Sequence, residues 1–501
     1  MKRALALLLA VMMAAPLFAS CSNRTPSGTE ETAPVSETPS AEALSPEEEE
    51  SLSEYERRQR IPDNLPEANF DGRIYRVLTT SDGYDGRVIK KDEIVVEDIT
   101  GDACNDAVYN RNILVEDRFN VKIECETDTD PQTYVNTLVT SGVTDYQLVG
   151  FYNYLAASAI SAGSLLNWRE IPHVDLSQPW HNRLANDNCT IYGKLFAACS
   201  DLSITSMTYT YAIFFNMPLL VDYGYPSAQM YDMVKSGEWT IDAFAELIRP
   251  MYQDVNGDGK KDNTDIYGFG YQLTNPTDVW LAAFDQPLTE VDEEGVHVTF
   301  MTDKTVSAME KMVQLHYNNS GFFKYISQYD EEKYFLNAKL VFAPLRFYTA
   351  YNVLRTMEDP YSILPWPKWD ENQQQYLTNA DDKFTAFGLP LTVYEDLDFA
   401  SILYEALCAE SYKKVYPVYY DTALKGKYSS EPETAEMVDL IMEGRAFDLA
   451  FEFSGTFSDL PYLFRKQLDA NNVNIASAYK KIEKGLNKTA PKQINKMYGG
   501  D

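Results

Sequence analysis

The sequence predicts a large α/β protein of two lobes, preceded by a short export signal and a polar leader. From Arg73 onward, strand-like and helix-like segments alternate along the chain, which is typical of α/β lobes with mostly parallel sheets. Removing the signal and leader leaves roughly 440 residues, too many for one core and enough for two lobes. No repeat of fixed period is present, so the sequence does not indicate a repeat architecture.

The first 21 residues have the layout of an export signal. Lys2 and Arg3 give a positive start, and the apolar run 4–13 is too short to span a bilayer. The motif FASC at 18–21 resembles the lipobox of bacterial lipoproteins, in which the cysteine becomes the lipidated N-terminus. We therefore expect lipidation at Cys21 and a location at the cell membrane, facing the extracytoplasmic side. An ordinary secreted protein with a cysteine at the cleavage site is the alternative.

The leader after the signal is rich in Ser, Thr, Pro and Glu, with four consecutive glutamates at 47–50. Such a segment buries too little apolar surface to offset its ordering entropy. The predicted organisation is a signal peptide at 1–20, a disordered acidic tether at 21–62 and a folded body at 63–501.

Charge and cysteine content exclude several classes of function. A net charge of −32 argues against nucleic acid or anionic lipid as a partner, so membrane contact is expected through the lipid alone. Five cysteines besides Cys21, irregularly spaced, do not form a disulfide framework, although a Cys189–Cys199 bridge stays open. The absence of any CxxC pair gives no indication of a zinc ribbon or a thioredoxin-like site.

The elements of the first region follow in order. Residues 73–79 alternate polar and apolar and end at a Ser-Asp-Gly turn, which predicts a strand. Next come a helix at 105–119, a strand at 120–124, a helix at 131–141 and a buried strand at 146–152. Ligands bind beyond the carboxyl ends of strands in such sheets, which places residues 150–154 at a possible ligand edge.

A second region of the same kind begins near residue 211. Residues 212–216 and 339–343 are apolar runs that predict strands, and a mostly helical stretch follows 396. Thr240 is the expected N-cap of a helix with Phe244 and Leu247 on its buried face, and Trp239 before it is assigned to packing.

A twelve-residue acidic loop has the ligand spacing of a calcium site. Side-chain oxygens fall at positions 1, 3, 5, 9 and 12, and a glycine at position 6 permits the sharp turn. The aspartate at position 12 resembles the dockerin-type loop, and the strand-like 266–271 behind it indicates one structural loop rather than a sensor pair. A turn without metal is the alternative. The predicted Ca²⁺ ligands are Asp254, Asn256, Asp258, the Lys260 carbonyl, Asp262 and Asp265.

Catalytic signatures are missing, whereas aromatic residues are abundant. The sequence has no HExxH, GxSxG or GxxxxGK[ST] motif, so we do not expect an enzyme. Sugar sites combine aromatic platforms with amides and carboxylates that bind hydroxyls. Candidates for such a site are the run Phe151-Tyr152-Asn153-Tyr154 and the rings Trp168, Trp180, Trp280, Phe347 and Tyr348.

An ordered series of short motifs carries a family resemblance from residue 73 to the C-terminus. The series is GSLL at 163–166, YGKLFAA at 192–198, FFNMPLL at 214–220, GEWTIDAF at 237–244, IYGF at 266–269 and ILPWP at 363–367. In this order the chain is similar to the extracellular solute-binding proteins of ABC transporters, in their carbohydrate-binding (family 1-like) branch. The resemblance implies a monomer that captures an oligosaccharide and delivers it to permease subunits.

The resemblance also implies a type II periplasmic-binding-protein fold, with hinge crossings between two lobes. The expected first lobe is about 70–200 plus 330–392, and the expected second lobe is about 203–328 plus 394–501. The ligand would lie in the cleft between them. A surface glycoside hydrolase, with two carboxylates fixed across a cleft, is one alternative. The same fold with a peptide or an organic anion as ligand is another.

Carried over by motif, the resemblance places ligand residues on both lobes. Tyr152 and Asn153 stand where the first lobe offers an aromatic ring to the sugar. Arg346, Phe347 and Tyr348 follow a strand where relatives have a stacking aromatic. The first crossing, at 198–208, brings Asp201 near the cleft. With Trp180 and Trp280, these residues form the predicted ligand-binding set.

Overall fold

The computed structural model describes residues 51–81, 90–324, 330–420 and 431–500. The signal peptide, Cys21 and most of the predicted tether lie outside these residues. None of the helices in the described ranges has the length and apolar character needed to cross a membrane.

The strands and helices alternate as the sequence predicts. The strands are β1 Arg73–Thr80, β2 Val121–Asp128, β3 Leu148–Tyr152, β4 Tyr211–Asn216, β5 Tyr252–Gln253, β6 Ile266–Gly270, β7 Thr289–Asp292, β8 Gly295–Val298, β9 Phe322–Phe323, β10 Leu340–Arg346, β11 Tyr361–Leu364, β12 Thr378–Asn379, β13 Thr385–Gly388 and β14 Arg445–Ala446. The α-helices are α1 Glu54–Arg60, α2 Lys90–Ile94, α3 Ala103–Phe119, α4 Pro131–Ser141, α5 Ala156–Ser161, α6 Arg183–Asn188, α7 Thr205–Thr208, α8 Met217–Asp222, α9 Ser227–Ser236, α10 Ile241–Ile248, α11 Asn275–Ala283, α12 Asp303–Asn318, α13 Asp330–Leu336, α14 Phe347–Asn352, α15 Leu397–Glu410, α16 Pro432–Glu443, α17 Leu449–Glu452, α18 Leu463–Asp469, α19 Ile475–Lys484 and α20 Ala490–Met497.

Two sheets form the centres of two lobes. The first lobe is built on the order β13-β3-β1-β2, in which β1 pairs in parallel with β2 and β3. The second lobe is built on β11-β4-β10-β6-β5, with β9 pairing to β6. Here β4 and β5 run antiparallel to their partners, so the second sheet is mixed rather than mostly parallel as predicted.

The predicted division of the chain between lobes needs correction after residue 330. Strands β10 and β11, expected in the first lobe, pair with β4 in the second. Helix α15, expected in the second lobe, packs on α3 of the first. The returning strand β13 does pair with β3. The chain therefore returns to the first lobe about 50 residues later than predicted, because local patterns do not reveal which sheet a strand joins.

Two chain segments run side by side between the lobes. The first leads from the bridge at Ala198 to the bridge at Thr210, and the second runs from Ala380 to Phe387. The Asp381 N–H donates to the Tyr209 carbonyl at 3.0 Å, so backbone hydrogen bonds tie these crossings together.

The end of the predicted tether is ordered. Helix α1 begins with a capping box between Ser53 and Glu56, which satisfies otherwise unpaired backbone groups. Arg58 is buried between the rings of Tyr412 and Tyr416, at 5.0 and 4.9 Å from their centroids. The boundary at 62 is therefore too late, because this charged segment gains cation–π packing that composition does not reveal.

Helix α10 confirms the packing predicted around Trp239. Thr240 caps the helix by accepting a hydrogen bond from the Ala243 N–H. The Trp239 indole is fully buried, donates to the Pro365 carbonyl at 2.8 Å and meets Phe244 edge-on at 5.3 Å. Burial of the large apolar rings on this face stabilises the second lobe.

Candidate functional site

A polar cavity of about 260 Å³ lies between the lobes, next to the second crossing. Three parts of the fold border it, namely the end of the first sheet at Tyr154, the start of α11 and the end of β10. Its lining residues are Tyr154, Tyr211, Thr274, Asn275, Pro276, Glu331, Glu332, Pro344, Leu345, Arg346, Asp381, Asp382, Lys383, Tyr462 and Arg465. We call this the polar cavity. Because β3, β6 and β10 all end near it, the position is the one that α/β sheets use for ligands.

A buried charge cluster forms one wall of the polar cavity. Arg346 is 4% exposed, and its guanidinium lies 3.9 Å from Glu332 and 3.6 Å from Asp381. Asp381 also accepts hydrogen bonds from the Tyr211 hydroxyl at 3.3 Å and the Asn275 amide at 3.0 Å. Burial is the largest single influence and would raise the pKa of Asp381, but the positive charges of Arg346 and Lys383, together with hydrogen bonds such as that from Asn275, outweigh it and lower that pKa. The carboxylate is thus held ionised and in a fixed position.

Another part of the cavity wall comes from the C-terminal part of the chain. The Tyr462 hydroxyl donates to Asp382 at 2.7 Å. Arg465 donates to Asn275 at 3.0 Å and to Asp278 at 2.8 Å, and its guanidinium stacks on Tyr462 at 4.2 Å. The cavity therefore combines donors, acceptors and ring faces, the groups that can recognise a polyhydroxyl ligand.

We predict that Asp382 makes the protein less stable as pH rises. Burial, and then the charge of Asp381, raise the pKa of Asp382 from 3.8 to about 7. The folded protein therefore holds a proton that the unfolded chain releases, so this stabilisation is complete below pH 4 and is lost as pH rises through 7. Urea unfolding at pH 5 and pH 8 should show a larger loss for wild type than for Asp382→Asn. Equal losses in the two proteins would contradict this assignment.

The predicted ligand residues at the end of β3, Tyr152 and Asn153, lie at the edge of the polar cavity. The Tyr152 ring is 8% exposed and stacks on Tyr154 at 5.9 Å, so Tyr154 is the ring that faces the cavity. Asn153 is buried, and its N–H donates to the Phe384 carbonyl at 2.9 Å. The predicted edge at 150–154 is therefore close to the cavity, but the ring that lines the cavity is Tyr154 rather than Tyr152, the ring chosen for the predicted ligand-binding set.

The three predicted ligand residues at the end of β10 and just after it lie in different places, two of them in separate cavities and one in the core. Arg346 lines the polar cavity, whereas Phe347 is fully buried and its N–H donates to the Thr210 carbonyl at 3.0 Å. Tyr348 lines a second cavity. The Arg346 guanidinium lies 4.9 Å from the Tyr209 ring centroid and 5.7 Å from that of Tyr348, so these side chains form the wall between the cavities.

The second cavity has a volume of about 290 Å³ and also touches both lobes. Its lining residues are Asp92, Glu93, Val96, Asp102, Cys104, Asn105, Val108, Leu202, Ile204, Thr208, Tyr348, Tyr351, Asn352, Val415 and Tyr419. We call this the tyrosine cavity, after its three rings. Helices α2 and α3 supply its first-lobe side, and α14 supplies its second-lobe side.

Three further predicted ligand residues lie elsewhere. Trp180 is fully buried in the core, and its indole N–H donates to Glu405 at 2.9 Å. Trp280 is also fully buried, donates to the Tyr271 hydroxyl at 2.7 Å and meets Trp366 edge-on at 4.6 Å. Both are corrected to packing residues, because their polar atoms are satisfied inside the core. Asp201 lies on the first crossing but lines neither cavity.

The sequence reasoning missed most of the polar cavity. Asp381 and Asp382 precede the short strand β13, and Tyr462 and Arg465 belong to the C-terminal helical region. Neither segment carries a motif, and 75 acidic residues in the chain give any one carboxylate little weight. The Asp-Asp-Lys sequence at the second crossing would have been the available signal.

The predicted calcium loop is closed by its own hydrogen bonds. The Asp254 carboxylate accepts from the Gly257 and Gly259 N–H groups at 2.7 and 2.8 Å. Asp265 is fully buried and accepts from the Val255 N–H and the Tyr252 hydroxyl, both at 3.1 Å. The oxygen chemistry suits Ca²⁺. Within the described ranges, however, no three His, Cys, Asp or Glu side chains are grouped as metal ligands, so calcium stays a prediction.

The five cysteines in the described part of the chain are free thiols, which include Cys189 and Cys199. Both of these are buried beside a small gap that also touches Asn153 and Asp382. Burial raises the pKa of Cys199 to about 12, so its thiol stays neutral. The bridge that the sequence left open is therefore not formed in this structure.

Neither a protein-family model nor a curated protein matches the chain. Several solved structures, in contrast, are similar to the chain in fold. The maltose/maltodextrin-binding domain MalE from Bdellovibrio bacteriovorus, bound to maltotriose, is similar at 13% identity and a TM-score of 0.52, over 84% of this chain and 99% of that domain. The GacH receptor of Streptomyces glaucescens GLA.O, solved unliganded and with acarbose, is similar at 14% identity and a TM-score of 0.52, over 82% of this chain and 99% of the receptor. The chain has the two-lobed α/β fold of these maltose-binding-protein-like structures.

Proposed function

We propose that the chain is a solute-binding protein that captures a carbohydrate in the cleft between its lobes and hands it to an ABC import permease. The observation that carries the proposal is the polar cavity. There, Tyr154 and Tyr462 supply rings while Asp381, Asp382 and Arg465 supply acceptors and donors. Rings pack against the apolar faces of sugars, and the polar groups pair with their hydroxyls. The fold shared with two sugar-binding structures supports the same function.

A binding role fits the cavity better than hydrolysis. A glycosidase needs two carboxylates on opposite sides of the scissile bond, about 5–10 Å apart, with one of them free to act as acid. Asp381 is instead fixed by Arg346, Tyr211 and Asn275, and Asp382 is its neighbour in sequence. The two structures with the same fold are described as a binding domain and a receptor, not as enzymes.

The experiment that tests this function is a thermal-shift screen. Maltotriose and acarbose are the first probes because the two similar structures bind them. A ligand that binds the folded protein raises its melting temperature as its concentration exceeds the Kd. A panel of other neutral oligosaccharides, short peptides and organic anions completes the screen. A shift with peptides or anions alone would contradict the carbohydrate assignment.

Lipidation at Cys21 would hold this binding protein at the membrane. We predict that Cys21→Ala releases the protein into the medium or leaves its precursor uncleaved, while the folded body still melts as in wild type. Cell fractionation and mass spectrometry of the mature N-terminus measure both effects, with Cys104→Ala as the control cysteine variant. Unchanged membrane retention of Cys21→Ala would contradict the anchor.

We also propose that Ca²⁺ stabilises the loop between Asp254 and Asp265. Its four aspartates repel one another unless a cation lies among them, so a chelator should lower the melting temperature. The Asp258→Ala variant should melt lower than wild type and no longer respond to added calcium. Superimposable melting curves with chelator and with calcium would show that the segment is a turn without metal.

A further inference from the structure

A third chain segment passes between the lobes, besides the crossings at 198–210 and 380–387. Helix α15 packs on α3 of the first lobe and continues directly into residues 411–420, which we call the third crossing. At its start, the Arg111 guanidinium of α3 donates to the Ser411 hydroxyl at 3.0 Å. At its end, the Tyr419 hydroxyl donates to the carbonyl of Phe347, which begins α14 in the second lobe, at 3.4 Å. The third crossing therefore joins one lobe to the other.

The helical geometry changes where the chain leaves the first lobe. Helix α15 is α-helical to Glu410, whereas Ser411–Val415 form a π-helical turn. Such wide turns are rare, are found where helices bend, and are frequent at functional sites. A bend at this point changes the direction in which the chain enters the second lobe. The π-helical turn is therefore the part of the third crossing that is best suited to bend in a hinge movement.

Helix α1, at the end of the predicted tether, packs on the π-helical turn. Arg58 is 6% exposed, and its guanidinium contacts the ring of Tyr412 inside the turn and the ring of Tyr416 just after it. The centroids of these two rings lie 6.2 Å apart, so the guanidinium spans two successive turns of the crossing. Cation–π contacts are strongest where water is excluded, as it is here. Because the bend sets the spacing of the two rings, a change in the bend disrupts this contact.

Further contacts fix α1 both to the third crossing and to the first lobe. The Gln59 side-chain amide donates to the Lys413 carbonyl at 2.6 Å and accepts from the Lys414 ammonium at 2.7 Å. Just after α1, the Asp63 carboxylate pairs with Arg118 of α3. The end of the predicted tether is therefore held at the π-helical turn on one side and at the first lobe on the other.

The charge of Arg58 also acts on the first crossing. Burial raises the pKa of the Asp201 carboxyl on that crossing to about 7, and the positive charges of Arg445 and, less strongly, of Arg58 oppose the rise. The Arg58 guanidinium is therefore near enough to influence the first crossing as well as the third.

We propose that helix α1 is a strap on the hinge. While it is docked on the π-helical turn, it restrains the bend of the third crossing and, through that bend, the movement of one lobe against the other. Since α1 continues the predicted tether, attachment of the tether at a membrane would act on the lobes through this contact. The proposal concerns the hinge alone and does not depend on which ligand the cleft binds.

Hydrogen–deuterium exchange of the full chain, followed by mass spectrometry, tests the proposal without a ligand. Arg58→Ala removes the guanidinium from the two rings, whereas Arg60→Ala removes an exposed arginine from the same helix and is the matched control. In Arg58→Ala we expect exchange in α1 and in the third crossing to become at least about 10-fold faster. Exchange should also become faster in the other two crossings, because the hydrogen bonds between them break when the hinge moves. Arg60→Ala should exchange as wild type does.

The outcome depends on where the faster exchange occurs. Strands β1 and β10, inside the two sheets, should keep their wild-type rates, which separates release of the hinge from a general loss of stability. If Arg58→Ala accelerates these strands equally, the milder variant Gln59→Ala decides by the same criteria. Faster exchange confined to α1 and the third crossing would overturn the proposal, because the strap would then not restrain the lobes. Unchanged exchange in α1 in both variants would also overturn it, because these contacts would then not hold the helix.

Discussion

Replacing Arg346 by methionine is expected to destabilise the protein by about 3–5 kcal/mol, because it leaves the carboxylates of Glu332 and Asp381 buried without their cation. Methionine fills much of the volume of arginine, so the loss of stability measures the effect of removing the charge rather than a loss of packing. Urea unfolding followed by circular dichroism measures the change. The matched control is Arg355→Met, an exposed change on the neighbouring segment, which should stay within about 0.5 kcal/mol of wild type.

A double variant separates charge from shape at the same site. Adding Asp381→Asn to Arg346→Met removes one of the uncompensated carboxylates, so part of the lost stability should return. If Arg346→Met unfolds at the wild-type urea midpoint, the charge cluster does not organise the cavity wall. The loss of stability in the double variant is compared with the sum of the losses in the single variants Arg346→Met and Asp381→Asn. If the two are equal, Arg346 and Asp381 are not coupled.

The second large effect is expected on ligand affinity. Tyr154 and Tyr462 both line the polar cavity and are only half-buried, so truncating either ring removes contact with a ligand and little core packing. Loss of one stacked ring should cost about 1–3 kcal/mol, or roughly 10- to 100-fold in Kd. Tyr394→Ala is the matched control, since that ring is 63% exposed on the first lobe and lines neither cavity.

The strands of the fold were predictable because their signal is local. Residues 148–152 and 211–215 are uninterrupted apolar runs, and both lie in strands that are fully buried in the structure. Which sheet a strand joins was not predictable, because pairing depends on contacts between distant segments. Strand β10 shows this: its pattern predicted a strand, but only the pairing with β4 places it in the second lobe.

The site was predictable in position more than in residues. The edge after β3 and the end of β10 do meet at the cavities, as the topology of α/β sheets requires. The choice of rings was less successful because tryptophan was favoured as a platform. Trp180 and Trp280 find partners for their indole N–H groups inside the core, whereas Tyr154, Tyr211 and Tyr462 line the polar cavity. Sequence alone does not distinguish a buried ring from a cleft ring.

The measurement that tests the central claim most directly is calorimetric titration of wild type, Tyr154→Ala, Tyr462→Ala and Tyr394→Ala with the best carbohydrate from the thermal-shift screen. The proposed site predicts that the two cavity variants bind about 10- to 100-fold more weakly, while Tyr394→Ala binds as wild type does. Equal affinity in all four proteins would contradict a carbohydrate site in the polar cavity.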